Sequence, residues 1–297
     1  MFDLKYHITS IVAIFLALGL GVLIGSSIVG DNLLVDQQKK MIDRLEEQFY
    51  IFQDKEKKLE AENEAKNIII ANYERYSQAT LPLLVQDRLK GYKASIIVTG
   101  DSDTPESMLK ALAAAGAEIV SRATILNMNL DSSEIRNRLT DFYNLDNNTS
   151  QDTLRHYVAV SVAALISGLD DPGLESFLEQ NNLVKFSINS STPVDGVIIL
   201  GGANNSNNDF SRSFDQGLIK YFNSLGIKVY GVEQSKVVYS YISTYQEHNI
   251  STVDNIEVSP GQISLVLAME GEAGHYGIKP TANKFMPVLY LNNTERR

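Results

Sequence analysis

From Ile8 to Val29 the chain reads ITSIVAIFLALGLGVLIGSSIV, twenty-two residues without a charge. A helix rises ~1.5 Å per residue, so a run of this length crosses the ~30 Å hydrocarbon layer of a bilayer. A buried helix of a soluble core seldom stays uncharged for so long. A secretory signal has a shorter apolar core and a small-x-small cleavage site. Gly25-Ser26-Ser27 offers such a site, but apolar Ile28 and Val29 continue past it. The reading is a permanent anchor over residues 1–32, with a cleaved signal as the competing one. Membrane lipid is then the first partner.

Inside this run Ala17, Gly21 and Gly25 recur every four residues. Such small-xxx-small ladders let two helices approach closely in lipid. Glycine is also frequent in membrane helices that do not pair. The flanks mark orientation weakly. Lys5 is offset by Asp3 on one side, and Asp31 and Asp36 precede Lys39 and Lys40 on the other. The lead of seven residues is short, which points to a cytoplasmic N-terminus and a single pass with the head extracytoplasmic.

Downstream, residues 33–79 are mostly polar with an apolar repeat of seven. Position a takes Val35, Ile42, Phe49, Glu56, Asn63 and Ile70; position d takes Gln38, Leu45, Phe52, Leu59, Lys66 and Tyr73. Eight of the twelve are apolar, the pattern of an imperfect coiled-coil stalk. Asn63 at an a position is a register-setting residue type. A fully helical stalk would extend ~70 Å. The competing reading is one amphipathic helix packed back on its own head. Ladder and stalk together point to a homodimer.

Thr80-Leu81-Pro82 is expected to end the helix, since proline cannot continue the ladder of hydrogen bonds. A short helix through Leu89, stopped at Gly91, is expected next. Beyond it, strands and helices alternate. Residues 93–99 (KASIIVT), 117–125, 195–200 (DGVIIL) and 227–232 read as strands, and Thr252-Val253 as a short extended piece. Asp103-Thr104-Pro105-Glu106 starts a helix that Gly116 closes. Further helices are expected over residues 132–145, 153–169, 173–181, 210–224, 236–247 and 259–269. This alternation implies an α/β head over residues 80–297, Rossmann-like, with a mostly parallel sheet and helices on both faces.

In such sheets ligands sit beyond the carboxyl ends of the strands. Those ends carry Gly100-Asp101-Ser102-Asp103, Gly201-Gly202-Ala203-Asn204 and Gly231-Val232-Glu233. Neither a Gly-x-Gly-x-x-Gly nor a Walker pattern follows a strand. Asp101, Asp103 and Glu233 suit a hard cation or, the preferred reading, cap strand–helix turns. No Gly-x-Ser-x-Gly elbow or metal-hydrolase motif occurs, so an enzyme is not expected.

The net charge is -10, opposite to the footprint of a nucleic-acid binder. There is no cysteine, which excludes disulfides and thiolate ligands. The four histidines, His7, His156, His248 and His275, form no close pair in sequence. His275 lies in the glycine-rich run Gly271-Glu272-Ala273-Gly274-His275-Tyr276-Gly277. With Asp254 and Glu272 it makes a candidate mixed oxygen–nitrogen metal site. The alternative is a loop histidine that shapes the turn.

Several short motifs, in the same order from end to end, carry a family resemblance. They are Phe2-Asp3-Leu4-Lys5-Tyr6-His7, Leu18-Gly19-Leu20-Gly21, Gly25-Ser26, Leu81-Pro82 and Arg88-Leu89-x-Gly91. Val253-Asp254-Asn255-Ile256, Gly261-Gln262 and Gly274-His275-Tyr276-Gly277 follow. Together they resemble the copper transport protein B (MctB) family. The resemblance implies an anchored cell-envelope or outer-membrane protein of copper homeostasis or efflux, with copper as the implied metal. On the residues alone, a non-catalytic dimeric tether presenting an α/β interaction or ligand-binding head outside the membrane is the alternative function. With one spanning helix per chain, a conduit would need an oligomer.

Overall fold

The computed structural model describes residues 4–188 and 192–288; Phe2 and Asp3 of the N-terminal motif lie outside them. The chain divides into two compact units, Met1–Ala71 and Asn72–Arg297.

The first unit is helical. Helix α1 (Leu4–Val85) supplies all of its described structure and contributes its last turns to the second unit. Its segment Lys5–Ser26 has a mean hydropathy of 2.5 and is nowhere buried. The stalk positions are equally bare: Ile42, Leu45, Phe49, Phe52 and Leu59 are each 56–67% exposed.

The expected stop at Thr80-Leu81-Pro82 is corrected: α1 runs through Pro82 to Val85. An interior proline costs ~3 kcal/mol. Leu81 and Val85 are buried in the head's core, and two such side chains contribute ~2 kcal/mol each, enough to hold the last turn. Gln86 N–H still donates to Pro82 O at 2.9 Å. Asp87, in the left-handed region at φ 56°, ends the helix. A turn to Gly91 replaces the short helix expected through Leu89.

The second unit is built on seven strands among the described residues. In chain order come β1 (Lys93–Val98), α2 (Glu106–Ala114), β2 (Glu118–Ile125), α3 (Ser133–Phe142), α4 (Gln151–Ile166) and α5 (Pro172–Gln180). Then follow β3 (Val184–Ile188), β4 (Gly196–Leu200), α6 (Gln216–Ser224), β5 (Lys228–Val232), α7 (Ile242–Gln246), β6 (Ser251–Val253), α8 (Ser259–Glu270) and β7 (His275–Tyr276). The sheet order is β3-β2-β1-β4-β5-β6-β7. All neighbours are parallel except β3, which runs antiparallel to β2.

Alternating side chains on the central strands feed two cores. Ile96, Val98, Ile198 and Leu200 face a core closed by the end of α1, by α2 and by α8. Ile97, Val197 and Ile199 face a second one closed by α3 to α7. Both faces of the sheet are therefore covered, as parallel sheets require. Glu74 and Arg88 brace α8 at its two ends. Ser259 Oγ donates to Glu74 Oε1 at 3.0 Å, and Arg88 Nη1 lies 2.7 Å from Glu270 Oε2.

Two further expectations are corrected. The helix expected over 236–247 shrinks to α7. Tyr239 and Ala203 exchange backbone hydrogen bonds of 2.8 and 3.0 Å, which draws residues 236–240 out of helical geometry. The helix expected over 210–224 opens with a π-helical turn, Ser211–Asp215, before α6.

Candidate functional site

The chain leaves β1 toward β2 on one side and β4 toward β5 on the other, so the sheet's switch point lies between β1 and β4. A crevice at the carboxyl ends of such a pair is the usual ligand site. Here the two loops that would wall it are bonded to each other. Thr99 and Gly100 N–H both donate to Leu200 O, at 2.9 and 3.0 Å, and Asp101 N–H donates to Gly202 O at 3.0 Å. A Cβ on Gly100 would sit 2.4 Å from Gly202 O, so only glycine permits this approach. The Asp101 carboxylate accepts Asn204 N–H at 2.7 Å and Asn208 Nδ2 at 2.9 Å, which fastens the loops. Beside them remains a cavity of about 80 Å³, lined by Thr99, Asp101, Asn127, Met128, Asn208 and Phe210 among others.

Beneath the zipped loops lies Asp215, fully buried at the end of the π-helical turn. Its Oδ2 accepts from Tyr245 OH at 2.5 Å and Thr99 Oγ1 at 2.7 Å, while Oδ1 has no hydrogen-bond partner among the described residues. Burial pushes this carboxyl up to about 7, against the opposing pull of the two hydroxyl donors. Burial and the adjacent Asp215 raise the Tyr245 phenol well above its usual value. Tyr245 fits because two neighbours lack side chains. A Cβ on Gly201 would lie 2.1 Å from its hydroxyl, and one on Gly231 2.3 Å from its ring.

The ends of β5 and β6 are covered by the segment after β7. Glu233, fully buried, accepts from Ser240 Oγ at 2.6 Å and Tyr241 N–H at 2.9 Å, and pairs with Lys279 Nζ at 2.5 Å. Asp254 accepts from Ile278 N–H at 2.7 Å and Lys279 N–H at 3.0 Å. A Cβ on Gly277 would collide with that carboxylate at 2.0 Å. The segment is thus strapped down by two buried acids.

The three residues read as a candidate metal site sit as follows. Asp254 caps the turn of the strap. His275, on β7, places Nδ1 3.0 Å from Thr252 Oγ1, and burial lowers its imidazole below the usual value. Glu272 lies in the preceding loop, where its carbonyl accepts from Tyr276 OH at 2.9 Å. Among the described residues no group of three or more His, Asp or Glu side chains gathers in metal-binding geometry. Asp101 and Glu233 are likewise turn and loop fasteners in the observed structure.

Sequence reading did not single out Asp215, Tyr245 or Lys279. Asp215 had a readable signal, since it shares the apolar stripe of Leu218, Ile219 and Phe222 on α6. An acid on such a stripe is buried by position. Lys279 had none, because its partner Glu233 lies 46 residues away.

A search of curated proteins finds none that matches this chain. The sequence does match, over residues 1–287, the family described as copper transport outer membrane protein, MctB. With the match covering all but the last ten residues, the chain belongs to the MctB copper transport family.

Proposed function

We propose that the chain acts in copper homeostasis as a membrane-anchored, non-catalytic envelope protein, whose Rossmann-like head docks onto other components of a copper-handling assembly. The family match over residues 1–287 is the observation that carries the copper role. The strand order β3-β2-β1-β4-β5-β6-β7, with its switch between β1 and β4 and every pair parallel but β2–β3, supports the Rossmann-like reading. The direct bonds between the loops after β1 and β4, and the strap over β5 and β6, support a head that presents a surface and does not enclose a substrate.

On this reading Lys5–Ser26 is a retained anchor, lipid is its solvent, and the head stands on the extracytoplasmic side. Two anchors pair through Ala17, Gly21 and Gly25 and through a coiled-coil stalk. A conduit for copper would need several copies, since each chain brings one apolar helix of spanning length among its described residues. Copper(I) prefers sulfur and copper(II) imidazole. The chain has no cysteine, Met108, Met128 and Met269 are buried in the head's cores, and His275 is engaged with Thr252. Copper is therefore cargo of the assembly on this reading, and no resident ion of the head is invoked.

The test is a deletion strain complemented with the wild-type chain or with a Lys279→Met chain that loosens the strap. Deletion should lower copper tolerance and change cell-associated copper, and the wild-type chain should restore both. Unchanged copper tolerance and content in the deletion strain would remove the copper role from this member.

A further inference from the structure

The seven-residue repeat of the stalk, carried back without a shift of phase, enters the membrane segment of α1. Counting back in sevens from Val35 and Gln38, position a falls on Ile28, Gly21 and Ile14, and position d on Asp31, Ile24 and Ala17, with Asp31 the one charged residue on this line between span and stalk. The stalk repeat thus runs straight into the small-residue ladder. Helix α1 is unbroken from Leu4 to Val85, so no insertion shifts the phase between the two parts. Ile14, Ile24, Ile42, Leu45, Phe49 and Phe52 along this line are each 56–67% exposed.

Resting on the anchored-dimer reading above, we infer that a second copy of this chain packs in parallel along α1, in register, through a single seam. The seam runs from Ile14 inside the bilayer to Ile70 in the stalk.

Three observations select this occupant. Both copies enter the membrane by the same segment, which fixes a parallel arrangement. In that arrangement the g position of one helix faces the e position five residues later on the other. Lys55 then meets the partner's Glu60, and no g–e pair along residues 34–70 brings like charges together. Finally, small residues in lipid and large apolar ones in water are what one continuous interface needs, because only close backbone packing favours pairing in lipid. A straight helix drifts ~20° per heptad from a seven-residue repeat, so the pair coils left-handedly. Glu56 at a and Lys66 at d bring like charges face to face, making residues 56–66 the weakest stretch.

The chain's lack of cysteine makes the seam directly readable in the full-length protein in native membranes. Single substitutions at seam positions, Ala17→Cys, Ile24→Cys, Ile42→Cys and Leu45→Cys, should oxidise to disulfide dimers several-fold more than the outward-facing Val22→Cys, Ser26→Cys, Glu47→Cys and Asp54→Cys. Stalk cross-links at Ile42 and Leu45 with the span cross-linking best at Val22 or Ser26 would overturn the continuous seam and leave the dimer standing. Equal yields at all eight positions, or none, would overturn the dimer as well.

Discussion

The same side chains meet opposite fates in the two units. Phe222 and Ile96 are fully buried in the head, while Phe49 is 62% and Ile42 56% exposed on α1. In the head the apolar residues find one another across a sheet covered on both faces. On α1 they form a line that is exposed along the described residues. Apolar area left in water costs roughly 25 cal/mol per Å². The head thus satisfies its own apolar residues, and on the reading proposed above lipid and a second helix cover those of α1. Large effects of mutation on head stability should fall inside the two cores, and effects on assembly should fall on the helix.

The widest separation is expected from one pair of truncations. Phe222→Ala should lower head stability by about 4 kcal/mol, because it empties a filled site. Phe49→Ala should leave the head's urea midpoint unchanged and weaken only dimer formation. A shared loss of stability would break the distinction between the units. Next comes the strap. Lys279→Met leaves the Glu233 carboxylate buried without its cation and should cost about 3 kcal/mol, read by thermal unfolding.

Asp215 sharpens the comparison through pH. Its folded value is raised to about 7, above an unfolded value of ~3.9, so the folded head binds the extra proton between those limits. Its contribution is therefore fully present below pH ~4, declines as pH rises to about 7, and is gone above that. Asp215→Asn should flatten this decline, removing a change in stability on the order of 4 kcal/mol across the window. A wild-type head with no decline between those limits would show that Asp215 stays ionised. The smallest effect belongs to the surface: Lys110→Ala, which removes an exposed pair with Glu106, should leave the head's thermal unfolding midpoint unchanged.

Much of the head was legible because its signals are local. The apolar run before Gly201 is β4, and Ala117 to Ile125 contains β2. What escaped the reading depends on distant partners. β3 is a short edge strand (VKFSI) whose pairing is with β2, some 60 residues earlier, and its own pattern resembles a loop with one phenylalanine. Pro82 looked like a stop because the burial of Leu81 and Val85 is invisible along the chain. Among the acids at the strand ends, Asp101 holds the loop after β4 and does not cap α2, Glu233 holds the segment leading into α7, and Asp254, read with His275 and Glu272 as a metal ligand, fastens the strap. The closure of the crevice was hidden, since it turns on a backbone approach of Gly100 to Gly202 that no side-chain pattern encodes.

The central claim is that residues 5–26 remain on the mature chain with lipid around them. Fractionating cells that express the full-length chain, with N-terminal sequencing of the product, tests it most directly. The account predicts an intact N-terminus on a chain that stays with membranes through alkaline washing and leaves them only in detergent. A mature chain that begins after Ser26, or an intact one recovered in the aqueous fraction without detergent, would contradict it.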